Sequence, residues 1–213
     1  MPPIVFPTLP ATARWTKLNL NAEAFQAFPE TFGENTLNNP VLCVMWVATL
    51  ADYPYGGYME DRTHLWRNHY HNPAIMRHLG VDYTAPAGTP VAVPADCTVI
   101  HVVRDNSYGG WGGCIFFKLA TPYRNAPYFL LGHLAFEGLP AVGQVCAKGQ
   151  VVGMLGAPHE NGQWFPHLHA QCFDQTWFDR YAPNLENMDG YGPNHELTNP
   201  HCPDPTALMA GQP

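Results

Sequence analysis

Twenty-two prolines and 19 glycines are spread along the 213 residues, and this punctuation limits the available folds more than any other feature. A proline inside a helix removes a backbone donor and clashes with the preceding turn, and a glycine there carries an entropic cost. Segments long enough for a helical bundle are therefore interrupted, which leaves short strands joined by turns. Disorder is the other common outcome of such punctuation. It is opposed here by 46% hydrophobic and 13% aromatic residues, enough apolar surface for a core in a chain of this length.

The pattern sharpens from His78 onward. Strands are expected at Pro90 to Val93, Cys97 to Val103, Cys114 to Leu119 and Tyr128 to Leu134, with the connection SYGGWGG reading as a hairpin turn. It lacks the Lys-Ser/Thr of a phosphate-binding loop. No helix-length periodic segment intervenes before Phe173. The expected fold is mainly β, with antiparallel sheets forming an open groove. Three parts are expected: an irregular N-terminal extension over 1–75, a β domain over 76–175 and an extended C-terminal tail over 176–213. Within the extension, Val41 to Leu50 reads as a buried strand, and Asp61 to Tyr70 as a helix ended by Asn72-Pro73.

Ten basic against 17 acidic residues give a formal charge of −7, the wrong sign for a nucleic-acid or anionic-membrane partner. No segment reaches the ~18 consecutive apolar residues of a membrane helix. The opening MPPIVFPTLPATARW shows no signal-peptide pattern, so a cytoplasmic location is expected. The six cysteines, Cys43, Cys97, Cys114, Cys146, Cys172 and Cys202, include no C-x-x-C pair. They are expected as free thiols.

Chemistry is concentrated in the histidines, of which there are 11. In F-P-H-L-H, His167 and His169 lie two apart, so in a strand their imidazoles share one face. Two adjacent charged imidazoles would repel; the pair makes sense if a metal takes one and the other serves the chemistry. His78 and Asp82 lie four apart in H-L-G-V-D, where Gly80 and Val81 indicate a turn entering a strand. A histidine, a carboxylate and a distant histidine leave a coordination position open, as in catalytic rather than structural zinc sites. The same donor set also forms the facial triad of non-haem iron oxygenases, and a binding module on an inactive fold is a further alternative. His69 and His71 form a second H-x-H on a polar segment without a strand pattern, read as a decoy. His64, His101, His159, His195 and His201 read as surface residues.

Three segments in order carry a resemblance: HLGVDYTAPAGTPVAVPADCTVI, YFLLGHLA, and VGQVCAKGQVVGMLGAPHENGQWFPHLHAQ. From His78 to Gln171 the chain resembles the M23 family of zinc metallopeptidases, of the lysostaphin and LytM type. GGYMEDRTHLWRN and APHENGQWFPHLH are similar to a subgroup without an export signal. The resemblance implies one zinc ion held by His78, Asp82 and His169, with His133 and His167 as catalytic histidines. It implies hydrolysis of an amide or peptide bond, and with this charge a small peptide-like or amide substrate. Tyr58, Glu60 and Arg62 are candidate substrate-binding residues lining the cleft. Two departures stand out. Ala170-Gln171 replaces the usual Phe-Glu after the second histidine, and Cys97 stands where the family has glycine.

Overall fold

The computed structural model describes residues 3–18, 53–62, 75–193 and 199–212. The strand expected at Val41 to Leu50, the His69-x-His71 pair and all but the first two residues of the helix expected from Asp61 lie outside the described residues.

Among the described residues the strands are β1 (Trp15–Leu18), β2 (Tyr53–Gly56), β3 (Ile75–His78), β4 (Val81–Thr84), β5 (Pro90–Ala92) and β6 (Cys97–Asp105). They continue with β7 (Gly112–Tyr123), β8 (Ala126–Leu134), β9 (Val145–Cys146), β10 (Val151–Met154), β11 (His167–Phe173) and β12 (Tyr191–Pro193). Eight of them form one sheet in the order β1-β2-β4-β11-β8-β7-β6-β9. Its pairs are antiparallel apart from β1 with β2. β10 pairs with β5 and β12 with β3 in two small antiparallel sheets. The fold is mainly β, as the turn spacing predicts.

Both faces of the central strands are covered. Val81, Tyr83, Ile115, Phe117, Phe129, Leu131, Leu168, Ala170 and Cys172 enter one apolar cluster. The intervening Cys114, Phe116, Tyr128, Leu130 and Phe173 enter a second. Double burial explains why β7, β8 and β11 read as nearly unbroken apolar runs instead of alternating ones.

The cover of the second face is the C-terminal segment, and here the expectation of a purely extended tail needs correction. The segment forms helix α1 (Gln175–Tyr181), a 3-10 turn at Leu185–Asn187, strand β12 and helix α2 (Thr206–Met209). Asp174 caps α1 through its side chain, accepting from the Trp177 N–H at 2.8 Å. Trp177, Leu185, Met188 and Cys202 are buried against the sheet. Prolines and glycines keep these helices short, but the apolar residues between them have a sheet face to bury against, which favours compact turns over free extended chain.

The cysteines described, Cys97, Cys114, Cys146, Cys172 and Cys202, are buried free thiols. Cys97 and Cys146 are register partners on β6 and β9 without a bond between them. None of the described helices is long and apolar enough to cross a membrane.

Candidate metal centre

Three strands bring the donor set together. β3 ends at His78, a two-residue turn follows, and β4 carries Asp82, whose register partner on β11 is His169. Gly80 in that turn is required by space. A Cβ there would lie 2.5 Å from His169 Nε2 and 2.6 Å from the Ala170 carbonyl oxygen. Val81 and Tyr83 enter one core, so Asp82 faces the other side of the sheet. Leu168 and Ala170 likewise leave His167, His169 and Gln171 on that side. This is the face the tail covers.

His133 reaches the same face by a different device. Leu130 and Leu131 enter opposite clusters, so strict alternation would send His133 to the same side as Leu131. The β7–β8 register instead shifts between the Gly113–Leu134 and Ile115–Leu131 pairs, leaving two residues of β8 opposite one of β7. His133 is held in this bulge at φ 64°, a conformation uncommon for residues other than glycine. Its N–H donates to the Trp111 carbonyl at 2.8 Å and its carbonyl accepts from the Gly156 N–H at 2.9 Å. Gly132 beside it leaves room for the Trp111 ring, whose nearest atom would lie 2.9 Å from an added Cβ. The bulge turns the imidazole toward His167, with ring centroids 4.4 Å apart.

The donor geometry is close-set. His78 Nε2 lies 3.0 Å from His169 Nδ1, His169 Nδ1 lies 3.2 Å from Asp82 Oδ1, and His78 Nε2 lies 3.4 Å from Asp82 Oδ1. A tetrahedral ion with bonds of ~2.0–2.1 Å separates its ligands by about 3.3–3.4 Å. The three atoms therefore stand nearly at the spacing such an ion requires. Among the described residues, these three side chains form the group able to hold a metal.

Outer hydrogen bonds aim each donor. The His78 Nδ1–H donates to the Gly57 carbonyl at 2.9 Å, leaving the Nε2 lone pair inward. The His169 Nε2–H donates to Gln171 Oε1 at 3.2 Å, leaving Nδ1 inward. Arg62 donates to Asp82 Oδ2 at 2.8 Å and leaves Oδ1 inward. This is the outer shell a metal site needs to fix tautomer and direction. Burial disfavours charge on His78 and, with Arg62 nearby, lowers its pKa to about 4. Burial alone would raise the Asp82 pKa, but His78, Arg62 and His167 outweigh it and hold the carboxyl well below its usual range. A neutral imidazole and an ionised carboxylate are the forms that bind metal.

The two remaining histidines are buried and do not belong to the donor set. The His167 Nδ1–H donates to the Phe165 carbonyl at 2.7 Å, and the His133 Nδ1–H donates to the Asn161 carbonyl at 3.0 Å. Each Nε2 then carries the lone pair, and His167 Nε2 lies 3.7 Å from Asp82 Oδ1. Burial lowers both pKa values, for His133 with help from His167 and His169.

A cavity of about 230 Å³ opens above these groups. Its walls include Trp111, Trp164, Phe165 and the tail segment from Glu186 to Tyr191. The Trp111 indole N–H donates to the Met188 carbonyl at 3.0 Å, and the Leu79 N–H to the Gly190 carbonyl at 2.8 Å. Sequence reading overlooked this wall, because the tail carries no motif and its role depends on a pairing 113 residues away in sequence, Tyr191 with His78.

Of the three candidate substrate residues, only Arg62 lines the cavity. It is buried, and its charge is engaged by Asp82 and by Glu60 at 3.2 Å. Burial opposes the guanidinium charge, but these two carboxylates more than restore it. Glu60 is therefore a partner behind Arg62 and not a cleft residue. Tyr58 is directed elsewhere, its hydroxyl donating to the Cys202 carbonyl at 2.8 Å. His101 is half-buried near Glu186 at 3.7 Å, His201 half-buried against Asp174 at 2.9 Å, and His159 exposed.

These features define a class: mainly β proteins presenting a His–Asp–His donor set beside two further buried imidazoles on a sheet face. Residues 76–179 match the model of peptidase family M23, and this part of the chain is an M23 domain. The chain is 34% identical over 127 residues to the DD-carboxypeptidase/endopeptidase Mpg of Neisseria meningitidis, covering 59% of this chain and 25% of that protein. It is 32% identical over 103 residues to an uncharacterized metalloprotease of Haemophilus influenzae, covering 48% of this chain and 20% of the relative. Thus the chain spans about a quarter or less of these curated relatives. The catalytic domain of lysostaphin from Staphylococcus simulans is 20% identical, with a TM-score of 0.42, over 63% of this chain and 80% of that one.

Proposed function

We propose that this chain is a zinc-dependent peptidase that hydrolyses an amide bond in a small, peptide-like substrate. The observation that carries the reading is the near-tetrahedral spacing of His78 Nε2, Asp82 Oδ1 and His169 Nδ1, with two further buried imidazoles beside them. Held by these three atoms, zinc would supply a Lewis acid to polarise the scissile carbonyl and to make water acidic enough to deprotonate near pH 7. His167 and His133 supply the proton handling. Their Nδ1–H groups are committed to backbone carbonyls, so each Nε2 is a base in its resting form. One accepts a proton from the attacking water, and the imidazolium so formed gives that proton to the leaving amine nitrogen. The other imidazole, which presents the same Nε2 lone pair, can accept a hydrogen bond from the attacking water and so orient it. Trp111, Trp164 and Phe165 exclude water around the reacting bond.

Substrate size follows from the walls. A cavity of about 230 Å³ is below the ~300–1,000 Å³ usual for drug-sized ligands, and the tail segment Glu186 to Tyr191 forms one side. A short soluble chain suits it better than a cross-linked polymer, and a formal charge of −7 disfavours approach to an anionic wall polymer.

Two measurements test the reading. Elemental analysis of the purified protein is expected to find one zinc per chain, lost in His78→Ala and His169→Ala. His167→Ala should keep the metal and lose about 10²–10⁴ in rate. Iron in place of zinc, with dioxygen consumed, would replace hydrolysis by oxygenase chemistry. A panel of insoluble peptidoglycan, soluble muropeptides and small amides decides the substrate, and efficient solubilisation of intact wall would defeat the small-substrate reading.

A further inference from the structure

Behind the donor set lies a chain of contacts that leads from a metal-ligand candidate into the C-terminal segment. His169 Nε2–H donates to Gln171 Oε1 at 3.2 Å. The amide nitrogen of the same Gln171 points away, with Nε2 3.7 Å from Cys202 Sγ. Gln171 and Cys202 are both fully buried. Cys202 is itself pinned on both sides of its peptide: its N–H donates to Asn199 Oδ1 at 3.0 Å, and its carbonyl accepts from the Tyr58 hydroxyl at 2.8 Å.

The two ends of an amide differ, and only one of them suits this position. If Gln171 were turned over, its NH₂ would face His169 Nε2. It would then favour the tautomer with hydrogen on Nδ1, where the lone pair must face Asp82 and His78. Because the Cys202 thiol offers the NH₂ group a sulfur acceptor, it favours the orientation that places oxygen on His169. A carboxylate at this place would have no such requirement, since both of its oxygens accept.

We propose that Gln171 and Cys202 are positioning residues for the metal site, with Cys202 setting the direction of the Gln171 amide and Gln171 setting the tautomer of His169. The proposal rests on the metal-site reading above. It assigns to the C-terminal segment a part in holding the ion, and to Tyr58 a structural part in holding Cys202. Gln171 thereby takes the place of an anionic partner, provided that the sulfur holds it in one orientation.

The test uses the full chain and zinc itself, with affinity measured by competition against a chromophoric chelator and apo-state folding followed by thermal melting. Gln171→Leu should weaken zinc binding by about 10–100-fold, the range typical of lost outer-shell partners. Gln171→Glu should bind at least as tightly as the parent. Cys202→Val should weaken binding severalfold in the parent but less than twofold in the Q171E background, where orientation no longer matters. Cys202→Ser keeps an acceptor and should bind zinc like the parent, which covers the case in which Cys202→Val fails to fold. Equal losses from Cys202→Val in both backgrounds, or parental affinity in Gln171→Leu, would overturn the relay while leaving the metal site in place. Failure of the parent to bind zinc would instead overturn the metal-site reading, and the relay with it.

Discussion

At the scale of single residues, the site depends on positions where backbone and side chain answer to different demands. His133 is the clearest. Its imidazole lies on the site face, but its backbone sits at φ 64° in a bulge. Asparagine tolerates this region better than alanine. His133→Asn is therefore expected to keep the bulge, the metal and a near-parental melting temperature while losing about 10²–10⁴ in turnover. His133→Ala should add a loss of stability to the same catalytic defect. Calorimetry beside single-turnover rates separates the two effects. Gly80 shows the opposite dependence, on space alone. Gly80→Ala keeps an allowed backbone but places a methyl group against His169 and the Ala170 carbonyl. The expected outcome is zinc affinity reduced more than thermal stability, since His169 is the group displaced; unchanged affinity by chelator competition would contradict this.

Among the elements, the β3–β4 turn, β11 and the β8 bulge form the floor of the site, and the tail forms a wall. The wall is fastened by two hydrogen bonds, from the Trp111 indole to Met188 and from the Leu79 amide to Gly190, and by the pairing of β12 with β3. Trp111→Phe removes the first bond and keeps a ring against Gly132 and His169. One such bond contributes about 0.5–1.5 kcal/mol, so the variant should remain folded. Limited proteolysis should then cut within residues 182–190 sooner than in the parent, with the central strands still protected. If cleavage begins in the sheet instead, the tail is not an independent wall.

For the molecule as a whole, the concentration of buried neutral histidines couples stability to pH. His78 takes up a proton near 6.5 when unfolded but only near 4 when folded. Between these values the unfolded chain binds more protons, so acidification favours unfolding. Burial of His133 and His167 acts in the same direction. The depressed carboxyl of Asp82 adds its loss at lower pH, as the medium falls below the ordinary carboxylate range. Metal-stripped protein should therefore be most stable above about pH 6.5 and lose stability progressively toward pH 4, as read from urea midpoints across a pH series. Zinc at about 100 times its Kd should add about 2.7 kcal/mol, and this increment should itself shrink on acidification because protons compete for the same lone pairs.

The amino-acid sequence by itself determined the strand-and-turn architecture, because proline and glycine act on the backbone locally and the apolar runs between them have strand length. It also determined the donor types and their order, since H-x-x-x-D and H-x-H depend only on short spacings within a turn and a strand. Three matters were settled by tertiary structure. Arg62 became a partner of Asp82, and Tyr58 a support for Cys202, because each meets a group 20 or 144 residues away in sequence. His133 turned to the site face because a register shift between two strands, which has no local signature, reversed the alternation. The tail became a folded wall because a second sheet face, visible only once the strands are paired, was left with apolar surface to cover.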